Sequence, residues 1–207
     1  MMGALNAITA KIKARRARLL NQQGYMELCR GQNMPVSLRL EDDLRMIRHY
    51  GVDVTFPIRD KPCRESLRRV RGMELDLRNI LWIWRLKTYH GVDGDGVFAF
   101  LSPHMYKLGL TEIRQLAFAK STQEFLQILQ GGAYPSVFRN HKDGIMFGEQ
   151  DMARAVMAQL HKESRQCDFA LIYSYLYARH YEIKNINAIS VGLKHGLPAE
   201  EIFSRIY

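Results

Sequence analysis

A pair of glycine-flanked aspartates is the first feature of this sequence that suggests metal chemistry. Residues 93–96 read Asp-Gly-Asp-Gly, which is similar to the start of a calcium-binding loop. Such a loop continues with further oxygen ligands and has a glutamate at its twelfth position, where this sequence has His104. The pattern therefore favours a glycine-rich turn after a helix over a calcium site.

The other residues with catalytic or metal-binding side chains lack the spacing that such sites require. Six of the seven histidines are scattered without a Cys-x-x-Cys or His-Glu-x-x-His pattern: His90, His104, His141, His161, His180 and His195. The glycine clusters at 91–96 and 131–132 lack the lysine and the preceding strand of a phosphate-binding loop. Cys29 is more readily explained as a buried structural thiol than as a nucleophile. We therefore expect no catalytic residues, no cofactor and no metal, in a protein that is not an enzyme.

One polar pattern occurs twice. Asp76-Leu-Arg-Asn79-Ile and Glu182-Ile-Lys-Asn185-Ile each place an acid, an aliphatic residue, a base, an asparagine and an isoleucine in succession. Each copy continues through apolar residues to a Leu-Lys pair and then to a glycine, which is Gly91 in the first copy and Gly196 in the second. The favoured interpretation is that both asparagines are buried in helices and make internal hydrogen bonds that determine packing. The alternative is a direct contact with a partner.

Helical periodicity dominates the segments that must position this repeat. It predicts helices over 4–20, 37–51, 64–89, 121–131, 148–163 and 169–194. The helix at 64–89 has two apolar stripes, the second with Trp82, which indicates packing between other helices. The stretch 52–62 contains two prolines and is interpreted as an extended linker. Pro198 suits the first position of a last helix. The sequence predicts an all-α protein with short loops.

The composition indicates an ordinary globular chain that is not an integral membrane protein. Of its 207 residues, 47% are apolar and 25% are charged. No strictly apolar run is longer than that at 80–84, which is far too short to span a bilayer. Cys29, Cys63 and Cys167 are odd in number and widely spaced, which predicts free thiols in a reducing cytosol. We therefore expect a cytoplasmic protein.

The charge is concentrated in the first half of the chain. Residues 1–90 contain 18 lysines and arginines against 9 acidic residues, whereas residues 91–207 contain 12 of each. Such a surplus attracts nucleic acid, an anionic membrane surface or an acidic protein, and the charge alone does not choose among them.

The repeat and its surroundings resemble the C-subunit family of V-type and archaeal A-type ATPases, the counterpart of the d-type component of eukaryotic V-ATPases. That family repeats an acid-aliphatic-x-Asn-aliphatic helix followed by a basic residue and a glycine turn, as at 76–91 here. The stretch after it ends at a tyrosine, Tyr134, and the C-terminal residues 181–202 resemble the family's ending. The opening residues 6–28, with their Leu-Leu…Tyr step, are also similar to the family's first helix.

The resemblance implies repeated all-α helical bundles, with about two related units in place of the family's usual three. We expect one part over 1–134, with the basic N-terminal half, and a C-terminal unit over 135–207 with the second repeat. The segment 135–168 matches the family weakly.

The resemblance also implies a non-catalytic role in a rotary ATPase. Family members form a socket on the cytoplasmic face of the membrane rotor ring and receive the foot of the central stalk, during ATP-driven or ATP-forming proton or sodium transport. The chain would then be a peripheral membrane protein, monomeric in isolation, whose partners are the stalk proteins and the ring. Its contacts with an acidic partner are expected at Arg15, Arg16, Arg18, Arg68 and Arg69. The alternative function is a basic helical adaptor that binds nucleic acid, although none of the usual binding signatures is present.

Overall fold

The computed structural model describes residues 2–31, 60–92, 94–139 and 147–206, and every regular element in these ranges is helical. The α-helices are α1 (Met2–Arg16), α2 (Gln22–Cys29), α3 (Lys61–His90), α4 (Leu110–Phe118), α5 (Thr122–Gly131), α6 (Pro135–Phe138), α7 (Glu149–Glu163), α8 (Asp168–Lys194) and α9 (Ala199–Ser204). A 3-10 helix, Gly94–Phe100, follows α3. The all-α prediction is confirmed, while the predicted helix at 37–51 and most of the linker at 52–62 lie outside the described residues.

The described residues form two compact units. The first unit contains those of 1–66 and 157–207, and the second contains those of 67–156. This grouping differs from the division at residue 134 that the sequence suggested. The difference arises because helices from the two ends of the chain pack together in the first unit, where α1 and α2 contact α8.

The core of the first unit consists of two apolar clusters along α8. In one cluster, Ile8 and Ile12 of α1 pack against α8. In the other cluster, Leu28 of α2 and Ile202 of α9 pack with Ile189 of α8. Helices from both ends of the sequence cover α8, and this explains why apolar residues occupy most of its circumference.

The second unit is built on the part of α3 that belongs to it. Leu77, Ile80 and Ile83 of this helix are fully buried. The ring of Trp84 packs edge-on against Phe125 of α5, with centroids 5.2 Å apart. Trp82, which the sequence placed on a packed stripe, has 43% of its surface exposed.

Both long helices are followed by a glycine with a left-handed backbone. Gly91 has φ of 61° and Gly196 has φ of 68°, a conformation that favours glycine. After α8, the N–H of Gly196 donates to the carbonyl of Leu193 at 3.1 Å and that of Leu197 to Gly192 at 3.0 Å, the two bonds of a Schellman motif. Pro198 is the N-cap of α9 and not its first residue, a shift of one position from the prediction.

The expectation of free thiols is wrong for two of the three cysteines. Cys63, near the start of α3, and Cys167, the N-cap of α8, form a disulfide across 104 residues of sequence. Only Cys29 remains a free thiol, and it is buried. In the sequence, the wide spacing of Cys63 and Cys167 gave no sign of this pairing. The two cysteines meet because the packing of the first unit brings the starts of the two helices together.

No helix in the described ranges is long and apolar enough to cross a membrane.

Candidate functional site

The carboxylate of Asp76 holds an irregular stretch of chain against α3. This side chain is fully buried. Its oxygens accept hydrogen bonds from the backbone N–H groups of three successive residues: Tyr106 at 2.9 Å, Lys107 at 2.7 Å and Leu108 at 3.0 Å. The hydroxyl of Tyr134 donates a fourth bond at 2.5 Å. A buried carboxylate needs such donors, and here all of them come from the chain itself.

Asn79, one turn further along α3, holds the same irregular stretch. Its Oδ1 accepts from the N–H of Ser102 at 2.9 Å, and its Nδ2 donates to the carbonyl of Ser102 at 3.2 Å. The side-chain amide thus satisfies both backbone groups of one residue. Asn79 is 1% exposed, so the prediction that it is buried in a helix is confirmed. We refer to Asp76 and Asn79 as the first clamp.

A glycine gives the clamped segment room to approach α3. Gly72 lies one turn before Asp76 and therefore on the same face of the helix. A Cβ atom at this position would lie 2.4 Å from Cγ of Tyr106, a distance that real Cβ contacts do not reach. The face of α3 that meets the segment thus carries a glycine, an acid and an asparagine at helical spacing.

A second carboxylate supports the loop that carries Tyr134. Both oxygens of Glu112 accept from the N–H of Ala133, at 3.1 and 3.2 Å. Burial raises the pKa of Glu112, the Ala133 N–H group lowers it, and the negative charge of Asp76 raises it further. Burial is also the main reason why the pKa of Tyr134 is raised, and its hydrogen bond to Asp76 adds to the effect. The sequence offered no signal for Glu112 because its partner is distant along the chain.

The second copy of the repeat forms an equivalent clamp in the first unit. Glu182 of α8 is 3% exposed, and its carboxylate accepts from the N–H of Leu20 at 2.8 Å and from the guanidinium of Arg179. Asn185 is 2% exposed and hydrogen-bonds to the side chain of Tyr25. Burial raises the pKa of Tyr25, and the bond to Asn185 opposes that shift. We refer to Glu182 and Asn185 as the second clamp.

The two clamps share a design and differ in their partners. In each, the acid accepts from the backbone of an irregular segment: from three N–H groups in the first clamp, and from the N–H of Leu20, between α1 and α2, in the second. Asn79 binds both backbone groups of Ser102, and Asn185 binds the side chain of Tyr25. The expected internal hydrogen bonds are confirmed for both asparagines, and they explain why one polar pattern occurs twice in apolar helices.

The lysines of the two repeats are used differently. Lys87 donates from Nζ to the carbonyl of Ala117 at 2.5 Å and so satisfies a terminal carbonyl of α4. Lys194, its counterpart in the second repeat, is exposed in the last turn of α8.

The five arginines that we expected from the sequence to contact a partner are divided between the two units. Arg15, Arg16 and Arg18 belong to the first unit, and Arg68 and Arg69 to the second. Arg18 and Arg68 are exposed, and the other three are half-buried. Arg16 donates to Nδ1 of His161 at 3.1 Å, while Arg15, Arg68 and Arg69 each interact with another group of the chain.

Within the described part of the chain, no group of three or more histidine, cysteine, aspartate or glutamate side chains is arranged to hold a metal ion. Asp93, the first residue of the calcium-like pattern, lies outside that part.

Comparison with known proteins identifies the family. A family model described as ATP synthase (C/AC39) subunit matches residues 56–205, which include both clamp helices, α3 and α8. No curated protein and no solved structure matches the chain. The matched region covers 150 of the 207 residues. The chain therefore belongs to the C/AC39 family of V-type ATPase subunits.

Proposed function

We propose that this chain is the central-stalk socket of a V-type or A/V-type ATPase. In this role it receives the foot of the stalk and connects it to the membrane rotor ring during ATP-driven or ATP-forming proton or sodium transport. It is a peripheral protein at the cytoplasmic face of the membrane and catalyses no reaction itself. The observation that carries the proposal is the internal use of both clamps, in a chain that belongs to the C/AC39 family.

A part that transmits torque must resist deformation, and the clamps supply a physical reason for stiffness. Each clamp ties an irregular segment to a helix of 30 or 27 residues. Pulling the segment away would leave buried donors and acceptors without partners, at a cost of about 1–3 kcal/mol for each group. Hydrogen bonds in a low-dielectric interior also reinforce one another. The clamps therefore favour a rigid scaffold over a binding pocket.

The surplus of positive charge in residues 1–90 suits this role because it would attract and orient a stalk foot or ring that has acidic groups. The partners we propose are the proteins of the central stalk and the rotor ring, and the chain in isolation is a monomer.

Reconstitution of the ATPase with and without this chain tests the proposal. We expect the complex that lacks the chain to hydrolyse ATP without pumping ions, and addition of the purified chain to restore pumping. A variant with Asp76→Ala and Asn79→Ala should restore less pumping than the wild type, whereas a matched variant at the exposed Asn187 should restore it fully. Equal pumping with and without the chain would refute the socket role.

The alternative function, a nucleic-acid adaptor, is supported by the sequence pI of about 9.6. It predicts tight binding to a random DNA duplex with a steep dependence on salt concentration. Duplex binding together with no binding to the stalk proteins would favour it, and neighbouring genes for other rotary ATPase components would favour the socket.

A further inference from the structure

The first unit contains a cleft lined by several basic side chains. Nothing in the sequence indicated that these side chains lie together. The cleft has a volume of about 740 Å³. Its basic lining residues are Lys13, Arg16, His161 and Arg165, and its acidic lining residue is Asp168. Three permanent positive charges and a histidine therefore surround one negative charge.

Separate elements bring these residues together. Lys13 and Arg16 are in the last turn of α1, and His161 is in the last turn of α7. Arg165 belongs to the short turn that leads from α7 to α8. The hydrogen bond from Arg16 to Nδ1 of His161, at 3.1 Å, joins two sides of the cleft. The cleft is thus a product of tertiary packing.

The disulfide restrains the same turn. Cys167 lies two residues after Arg165 and is bonded to Cys63 of α3. The N–H groups of Gln166 and Cys167 also donate to the carbonyl of Glu163, at 3.0 and 3.1 Å. The backbone that presents Arg165 is therefore held from both sides, so that a partner meets it with a small loss of conformational entropy.

Basic residues in the last turn of a helix are often explained by the helix dipole alone. That explanation covers Lys13, Arg16 and His161 one by one. It does not cover Arg165, which is outside any helix, or the convergence of all four on a single concavity. A concave surface on which one sign of charge predominates concentrates the electric field and attracts an oppositely charged partner.

We propose that this cleft docks an acidic segment of the central stalk, with two or more carboxylates facing Lys13 and Arg165. The inference rests on the proposed function and specifies where on this chain the stalk binds. The volume is that of a site for several groups and not for a single ion. Phe, Tyr and Trp are absent from the cleft lining, so the stacking platform that single-stranded nucleic acid uses is not provided there.

Charge reversal tests the inference with a control of equal charge. The test variant carries Lys13→Glu and Arg165→Glu, both at exposed positions in the cleft. The control variant carries Lys162→Glu and Lys194→Glu, which are exposed in the same unit but do not line the cleft. Both variants change the net charge equally, so general electrostatic attraction to the stalk falls by the same amount in each.

The measurement is binding to the purified central-stalk subcomplex of the same ATPase across a salt series. We expect the test variant to bind about tenfold more weakly than the control near 0.1 M salt, and the difference to shrink to about twofold or less near 1 M, where charges are screened beyond about 3 Å. Circular dichroism should show equal helix content for both variants.

The outcomes separate this inference from the function on which it rests. If the wild type binds the stalk and both variants bind with equal affinity, the cleft is not the docking site and the socket role stands. If the wild type does not bind the stalk at all, both proposals are wrong.

A cross-linking measurement gives an answer that does not depend on the charge variants. A photo-reactive amino acid at Ala17, which lines the cleft and is exposed, should cross-link to a stalk protein. The same group at Ser204, an exposed position outside the cleft, should not. Cross-linking from Ser204 and not from Ala17 would place the stalk on another surface and overturn the inference.

Discussion

At the level of single residues, the buried acid of the first clamp depends on donors that the chain supplies from far along the sequence. Asp76 and Tyr134 are separated by 58 positions, yet the tyrosine hydroxyl donates the shortest of the four bonds to the carboxylate. A hydrogen bond to a charged group contributes about 1.5–3 kcal/mol to stability, more than one between neutral groups. Tyr134 is therefore a structural residue of the clamp, and its hydroxyl needs no external ligand.

Replacing Tyr134 with phenylalanine should lower the free energy of unfolding by about 1.5–3 kcal/mol near pH 7, because Asp76 loses a donor in a buried site. The raised pKa of Tyr134 adds a pH dependence. Its stabilising effect is fully present below the unfolded-state pKa near 10 and is lost as the pH rises above that value. Urea denaturation at pH 7 and pH 10.5 should thus show a smaller difference between variant and wild type at the higher pH.

The control for this measurement is Tyr89→Phe, because Tyr89 is 67% exposed. We expect it to leave the free energy of unfolding within about 0.5 kcal/mol of the wild type. A Tyr134→Phe protein as stable as the Tyr89→Phe protein at pH 7 would contradict the role given to the clamp.

At the level of the secondary-structure elements, each clamp helix carries a buried acid and a buried asparagine among buried apolar residues, on the face that meets an irregular segment. In α3 this face begins with Gly72, which leaves space for the ring of Tyr106. Gly91 directly follows the same helix, and its left-handed backbone breaks the helical path. The buried polar groups of the helix and those of the loop therefore have their hydrogen-bond partners in each other, so the two must form together.

The importance of the space at Gly72 can be tested by replacing each of two glycines with alanine. Gly72→Ala should lower the free energy of unfolding by about 1–3 kcal/mol, because the added methyl group clashes with Tyr106 and displaces the clamped segment. Gly131→Ala adds the same methyl group to α5, where nothing lies within 4 Å, and should leave stability unchanged or slightly higher. Thermal and urea denaturation measure both. Equal stability of the two variants would show that the Tyr106 contact does not depend on the glycine.

At the level of the complete chain, the first unit is assembled from both ends of the sequence. Glu182 binds the N–H of Leu20 across 162 residues, and the disulfide joins Cys63 to Cys167 across 104. Of these two connections, only the disulfide persists in the unfolded chain and restricts it, so its loss affects the whole unit.

Reduction of the disulfide should lower the free energy of unfolding by about 2–5 kcal/mol, because the closed loop is long. Urea denaturation with and without dithiothreitol measures the effect, and Cys63→Ser should behave like the reduced wild type under both conditions. Cys29→Ala is the control, since it removes the free thiol and should keep the response to reductant. Wild-type stability that is independent of reductant would contradict the cross-link, as would free thiols at both positions in protein purified under oxidising conditions.

Local sequence patterns were sufficient to predict the helical class, the approximate boundaries of the longer helices and the burial of the repeated asparagines. The pattern at 169–194, for example, predicted a helix that runs from Asp168 to Lys194. This success has a local cause: periodicity and capping residues act over one or two turns of chain. The same local patterns correctly marked Asn79 as a polar residue on an apolar stripe, which implies an internal partner.

The partners of those polar residues, in contrast, are known only from the folded chain. Ser102 for Asn79, Tyr25 for Asn185 and Cys63 for Cys167 are pairings that no local pattern encodes. They depend on which helix faces meet, and that follows from the burial of apolar surface over the whole chain. The basic cleft has the same origin, because the sequence displayed a run of positive charge at 11–18, whereas packing added His161 and Arg165 to it.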